Sequence, residues 1–284
     1  MDLDERPSVL PGPTSTPPAA GASATPGDAD TEGGWSRRDL VGGLEKGLLV
    51  IEAFDQERAR LSISEVAQRA GLSRAAARRY LLTLAHLGYV DHDGKGFALS
   101  PRVLRLGQSY MHSARLPRVL QPELQRLAAA MQEATSAGVL DDDEVVSLAA
   151  ATGGRVVSTT LQPGARVPAY CTANGRVLLA ALGPAELDAW LARQTLAPRT
   201  PHTLTDVERL RAEIGRVRAQ GYALVDQELE PGLRTLSVPV VSADGQVLAA
   251  LNVSAHAARH STDQLIDHCL PALRQTQAAL RRQL

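Results

Sequence analysis

The sequence predicts an α+β protein in which an N-terminal winged helix-turn-helix domain is joined by a linker helix to a second, antiparallel α+β domain. Three observations predict this. Two capped, apolar-periodic stretches meet at a short glycine turn, "AGLS", and a strand–turn–strand pattern follows them. In the second half, apolar runs of strand length are interspersed with amphipathic stretches, but not in the regular β–α–β order of a parallel sheet. A chain of 284 residues with 44% hydrophobic content is long enough to fill two cores, and at 3% aromatic residues the packing must be aliphatic.

In chain order, residues 1–34 are rich in Pro, Gly, Ala, Ser and Thr and bury too little apolar surface to offset chain entropy, so a disordered tail is expected. Residues 35–100 form the winged domain. "LVGGLEKGLLVIEAFDQ" sets Leu44, Leu48, Ile51 and Phe54 at helical spacing. Ser62 or Ser64 caps the next helix, which buries Val66, Ala67 and Ala70 and stops at Gly71. Ser73 caps the third, whose inner stripe reads Ala77, Leu81, Leu84 and Leu87. "YVDHDGKGFALS" then gives two short strands around a turn at Asp93–Gly96, the wing.

Residues 101–116 resume helical periodicity through Val103, Leu106 and Tyr110 as the linker helix. In 117–284, "LQPELQRLAAAMQEAT" is a helix with Pro122 at its start, and "AGVL", "VVSLAAAT" and "RVVSTTLQPG" are strand-like. "ANGRVLLAAL", "PAELDAWLARQ" and "TDVERLRAEIGRVRAQG" are helical, the last with Thr205 as cap and Glu208 three residues on. "YALVDQELE" and a hairpin turning at "ADGQ" lead to a C-terminal helix over 262–284.

The net charge of −1 conceals an uneven distribution: residues 36–115 carry 13 basic and eight acidic side chains, a net +5, whereas the flanking pieces are acidic. The third helix lies in that basic stretch. A recognition helix enters the major groove with its N-terminal residues toward base edges. Ala75 and the neighbouring alanine let the backbone approach DNA; Arg74 and Arg78 share one face, as do Ala75 and Arg79. Arginine bonds guanine in bidentate fashion or grips phosphate, and Ser73 offers a hydroxyl beside the cap. Lys95 in the wing reaches toward a flanking phosphate. The ordinary alternative, a solvated basic face, loses ground because a capped helix, a glycine turn, a hairpin and a basic field coincide.

These motifs resemble the IclR-type transcriptional regulators. The resemblance covers residues of about 43–284 and rests on "GLEKGLLVIEAF", "LSISEVAQRAGLSRAAARRYLLTLAHLGYV" and "FALSPRVLRLG", then on "VPAYCTANGRVLLA", "GYALVDQELEPGLRTLSVPV" and "LAALNVSAH". The wording is most similar to the subgroup controlling protocatechuate, 4-hydroxybenzoate and β-ketoadipate catabolism. It implies a cytoplasmic homodimer or dimer of dimers that binds double-stranded operator DNA, and a GAF-like second domain that binds a small aromatic or dicarboxylic acid. It also implies the effector-lining positions Val167, Cys171, Thr172, Ala173, Asn174, Asp226, Thr235, Asn252 and Ser254. Near Thr172–Asn174 a loop runs into a helix start whose free N–H groups suit a carboxylate.

Competing chemistry has little support. Cys171 near a helix start could be a nucleophile, but no histidine stands at a triad spacing and no catalytic residue or cofactor is expected. The acids at 141–144 read as an exposed turn, and His256, His260, His268 and Cys269 match no tight metal-ligand spacing. Two cysteines make no disulfide framework, and neither a membrane span nor a signal peptide is legible. Arg176 and Arg234 either pair with Glu228 or Glu230 or meet an anionic ligand. Two rival readings remain at this stage: a DNA-binding protein whose second domain only dimerises, and an enzyme or ligand-binding module that binds no DNA.

Overall fold

The computed structural model describes residues 31–32, 35–36, 39–55, 58–154 and 162–284. The tail expected over 1–34 lies outside the described residues except for 31–32, as does most of the strand expected at 155–164. The chain divides into two compact units between Val103 and Leu104.

In the first unit, β1 (Thr31–Glu32) pairs with β2 (Trp35–Ser36) ahead of α1 (Gly42–Glu52). Helix α2 (Ile63–Arg69) opens with a full capping box. The Ser62 hydroxyl accepts from the Glu65 N–H at 3.3 Å, and the Glu65 carboxylate accepts from the Ser62 N–H at 2.9 Å, so Ser62 and not Ser64 is the cap. Gly71, at φ 63, turns the chain into α3 (Arg74–His86), where the Ser73 hydroxyl accepts from the Ala76 N–H at 3.2 Å. Strands β3 (Val90–His92) and β4 (Phe97–Leu99) form the wing, and Leu61 adds a bridge to Phe97.

The core of this unit gathers Val50, Leu61, Val66, Ala77, Leu81, Leu84, Val90 and Phe97. Two expectations need correction. Helix α1 turns Val50 and Ile51 inward and leaves Leu44 (66%) and Leu48 (45%) exposed. Leu87 is also exposed: α3 ends at His86, and left-handed Gly88 takes the chain off the helical path before Leu87 can join the stripe.

The second unit follows a short 3₁₀ turn at Pro101–Val103. It begins with α4 (Leu104–Ser113) and α5 (Arg115–Met131), which break at Ala114. Pro122 therefore lies inside α5 and not at its start. The helix loses one N–H there, but Leu120, Leu124 and Leu127 bury a continuous stripe across the proline.

Strands β5 (Ala134–Asp141), β6 (Glu144–Ala151) and β7 (Arg166–Pro168) precede α6 (Ala173–Ala181), α7 (Pro184–Ala192) and α8 (Val207–Gln220). The α8 cap is Asp206 rather than Thr205; its carboxylate accepts from the Arg209 N–H at 2.7 Å. Then come β8 (Ala223–Asp226), β9 (Leu233–Val241), β10 (Val247–His256) and α9 (Thr262–Arg281).

The six strands form one antiparallel sheet in the order β7-β6-β5-β10-β9-β8. Because side chains alternate along a strand, Leu251 and Val253 of β10 and Leu236 and Val238 of β9 pack under α5 and α9. The other face, carrying Ala250, Asn252 and Ser254, lies toward α6, α7 and α8. That second face is where polar residues sit deep in the fold.

Candidate functional site

Ser73, Arg74, Ala75, Arg78 and Arg79 all lie on the exposed side of α3, opposite Ala77, Leu81 and Leu84. Lys95 is exposed in the wing turn, where the Asp93 carboxylate accepts from the Lys95 and Gly96 N–H groups at 3.0 and 2.9 Å. The pattern of ion pairing separates these cations from their neighbours. Arg58 pairs with Glu65, Arg60 with Asp93, and Arg69 with Asp55. Among the described residues, Arg74, Arg78, Arg79 and Lys95 enter no salt bridge. Their charge is available to a polyanion. Ser73 uses one oxygen lone pair as the cap and keeps its proton for donation.

In the second unit, Val167, Cys171, Thr172, Ala173, Asn174, Thr235, Asn252 and Ser254 surround a single cavity. Its floor is the sheet: Asn252 lies opposite Ser136 on β5 and Ser237 on β9, and one row along Ser254 lies opposite Thr235. Its roof is the start of α6. The Thr172 hydroxyl accepts from the Gly175 N–H at 3.2 Å, while the N–H groups of Ala173 and Asn174, in the first turn, have no intrahelical acceptor. This helix start is fixed by close packing, since a Cβ on Gly175 would fall 2.0 Å from the Ala169 carbonyl oxygen.

Apolar walls come from Val145, Val225, Leu229 and Leu233, and among the described residues none that lines the cavity is charged. Sequence reasoning missed Ser136 and Ser147, which also line the cavity. Ser136, with its neighbour Thr135, is one of two hydroxyls inside the otherwise apolar "ATSAGVL" strand. The Ser147 hydroxyl is sealed from solvent and has no hydrogen-bond partner among the described residues, an unmet group beside the cavity.

Asp226 does not join this set. Val225 faces the cavity, so the next residue on β8 points to the opposite side. There both Asp226 carboxylate oxygens accept from the Arg234 guanidinium, at 2.8 and 2.9 Å, and that pairing holds the carboxyl below its usual range. Arg234 therefore pairs with Asp226 and with neither Glu228 nor Glu230. Arg176, 2% exposed, donates to Glu228 at 2.7 Å and to the Tyr170 carbonyl at 3.2 Å. Both arginines are held by carboxylates, and neither is among the described residues that line the cavity. Burial pushes the Cys171 thiol up to about 11, so the nucleophilic thiolate is suppressed at neutral pH.

Residues 141–144 form the β5–β6 turn, with Asp141 and Glu144 paired to Arg166 and Asp143 to Arg193. Among the described residues no group of His, Cys, Asp and Glu side chains has a metal-holding arrangement. No helix among them is long and apolar enough to cross a membrane.

Comparison with known proteins places both sites in one family context. Residues 43–94 match the IclR helix-turn-helix domain, and residues 108–282 match the C-terminal domain of the bacterial transcriptional regulator IclR. The chain is 45% identical over 236 residues to the Pca regulon regulatory protein of Pseudomonas putida, covering 83% of this chain and 81% of that one. It is 42% identical over 248 residues to the p-hydroxybenzoate hydroxylase transcriptional activator of Acinetobacter baylyi, covering 86% and 92%. Among solved structures it is similar to a double mutant of the PobR transcription factor inducer-binding domain from Acinetobacter in complex with 3-hydroxybenzoic acid. There the identity is 35% and the TM-score 0.57, over 60% of this chain and all of that one.

Proposed function

This chain belongs to the IclR family of bacterial transcriptional regulators, and on that premise we propose that it switches aromatic-catabolism genes in the cytoplasm in response to a single-ring aromatic monocarboxylic acid of the hydroxybenzoate or protocatechuate type. The observation that carries the choice of acid is the absence of any charged side chain among the described residues that line the cavity. One carboxylate can be met by the free N–H groups and dipole of α6. A second carboxylate, as in β-ketoadipate, would be buried with no cation among the described lining residues, at a cost of several kcal/mol. The apolar valines and leucines suit a ring, and the Thr235 and Ser254 hydroxyls suit its phenolic groups. Ser73, Arg74, Ala75, Arg78, Arg79 and Lys95 form the operator-facing surface, supported by the exposure of all six and the unpaired charge of the four cations. Self-association into a homodimer or dimer of dimers is supported by the exposed Leu40, Val41, Leu44 and Leu48 at α1, an apolar patch with no partner among the described residues. A dimer presents two α3 helices to half-sites about 34 Å apart or a multiple of that.

Calorimetric titration of 4-hydroxybenzoate, protocatechuate and β-ketoadipate into the full chain tests the effector class. The aromatic monoacids are expected to saturate one site per chain, with β-ketoadipate at least about tenfold weaker, the equivalent of 1.4 kcal/mol. Tightest binding of β-ketoadipate would overturn the assignment.

A further inference from the structure

We propose that Asn252 supplies a donor-only amide to the effector's carboxylate, and that Ser136 is the positioning residue that fixes it so. This rests on the effector class argued above.

An asparagine side chain offers an oxygen on one side and an NH2 on the other, and which side faces a ligand decides whether the site attracts or repels an anion. For Asn252 the choice is settled by chemistry. The backbone N–H of Ser136 can only donate, and the Asn252 side-chain atom 3.0 Å from it must therefore be the oxygen. The Ser136 hydroxyl donates to the same Oδ1 at 2.8 Å. Two donors on Oδ1 turn Nδ2 the other way. Asn252 is only 7% exposed and lines the cavity; its Nδ2 has no partner among the described residues, and it is not a sealed atom. Both of its N–H bonds are open to a cavity occupant.

Asn174 has no such lock. Its Oδ1 stands 2.7 Å from the Ser237 hydroxyl, but the single proton of that hydroxyl is also within 3.1 Å reach of the Leu251 carbonyl, so either face of the Asn174 amide can turn inward. The same contact locates Asn252. Ser237 lies directly opposite Asn252 in the β9–β10 register, and Ser237 touches the first turn of α6 through Asn174. The fixed Nδ2 thus stands on the strand beside the free N–H groups of Ala173 and Asn174. Together they make a carboxylate cradle of neutral donors, with no cation among the described lining residues.

The test compares 4-hydroxybenzoate with its primary amide, 4-hydroxybenzamide, by calorimetry on the wild-type full chain and on Asn252→Asp. The aspartate keeps one oxygen on Ser136 and turns the other toward the ligand, replacing a donor by a negative acceptor. The expected result is a loss of acid affinity of about a hundredfold or more, with amide affinity changed by no more than a few-fold. Equal losses for both ligands, or no loss for the acid, overturn the role of Asn252 while leaving the effector class standing. Failure of the wild type to bind any aromatic acid overturns both. Asn252→Ala keeps the test decisive if the aspartate variant misfolds: a loss of about tenfold for the acid and less for the amide supports the proposal, and equal affinities for the acid in variant and wild type overturn it.

Discussion

At the scale of single residues, buried charge is organised to be neutralised locally. Arg176 and Glu228 are both buried, and Glu228 also accepts from the Leu204 N–H at 2.9 Å. Removing one partner strands the other, so Arg176→Ala is expected to lose about 3–5 kcal/mol in urea denaturation, while simultaneous replacement of both residues by apolar side chains loses less. Asp226 makes a pH prediction. Its folded pKa is depressed by Arg234, so its stabilisation is present above the ordinary carboxylate range and is lost as pH falls through the lowered folded value. Melting temperatures of wild type and Asp226→Asn should therefore differ at pH 7 and converge toward pH 3. The Cys171 thiol, held up to about 11 and buried, is expected to resist iodoacetamide at pH 8 in the native state and to react once the chain is unfolded. The identity of these residues was legible in the sequence, but their partners were not. The pairing of Arg234 with Asp226 follows from the β8–β9 register, which brings together residues eight apart, whereas charge alone gave Glu228 and Glu230 equal standing.

At the scale of elements, caps and glycines were the most readable signals. Ser62, Ser73 and Gly71 act on nearest neighbours, and local chemistry of that kind survives folding unchanged. The inward faces were less readable. Leu44, Leu48 and Leu87 obey helical spacing yet stay exposed, because periodicity marks an apolar stripe without saying what covers it. The start of α5 was misplaced since a proline is favoured in a first turn, and only tertiary packing of the leucine stripe carries the helix through Pro122. Helix α6 carries a sharp prediction. A Cβ at position 175 would overlap the Ala169 carbonyl, so Gly175→Ala must displace the loop that delivers Cys171 and Thr172. It is expected to destabilise the second unit by about 1–3 kcal/mol, as overpacking does, and to weaken 4-hydroxybenzoate binding, both read from a thermal-shift titration.

At the scale of the whole molecule, the proposed function is divided between a basic surface in one unit and, in the other, a cavity with no charged side chain among its described lining residues. The net +5 of residues 36–115 marked the first of these in the sequence, and the free arginines of α3 localise it. The cavity was legible only through family resemblance, because its polar floor is assembled from two strand pairs, β5–β6 and β9–β10, far apart in sequence, and Ser136 and Ser147 carry no motif. Arg74→Ala and Arg78→Ala are each expected to weaken binding to DNA from upstream of the gene by about 1–3 kcal/mol if the side chain reads a base. A variant that removes a phosphate contact instead reduces the slope of log K against log salt by about 0.9 and weakens all sequences alike. Fluorescence anisotropy across a salt series separates the two roles.

On the proposed function, acid and DNA bind one molecule and influence each other. Thermodynamic reciprocity makes that directly measurable: an effector that changes operator affinity must have its own affinity changed by operator to the same degree. The decisive measurement is the Kd of 4-hydroxybenzoate for the full chain, by calorimetry, free and saturated with its operator fragment. A coupling of about 1–3 kcal/mol, a shift of roughly 5–150-fold, is the result expected. Identical Kd values with and without DNA would contradict the account.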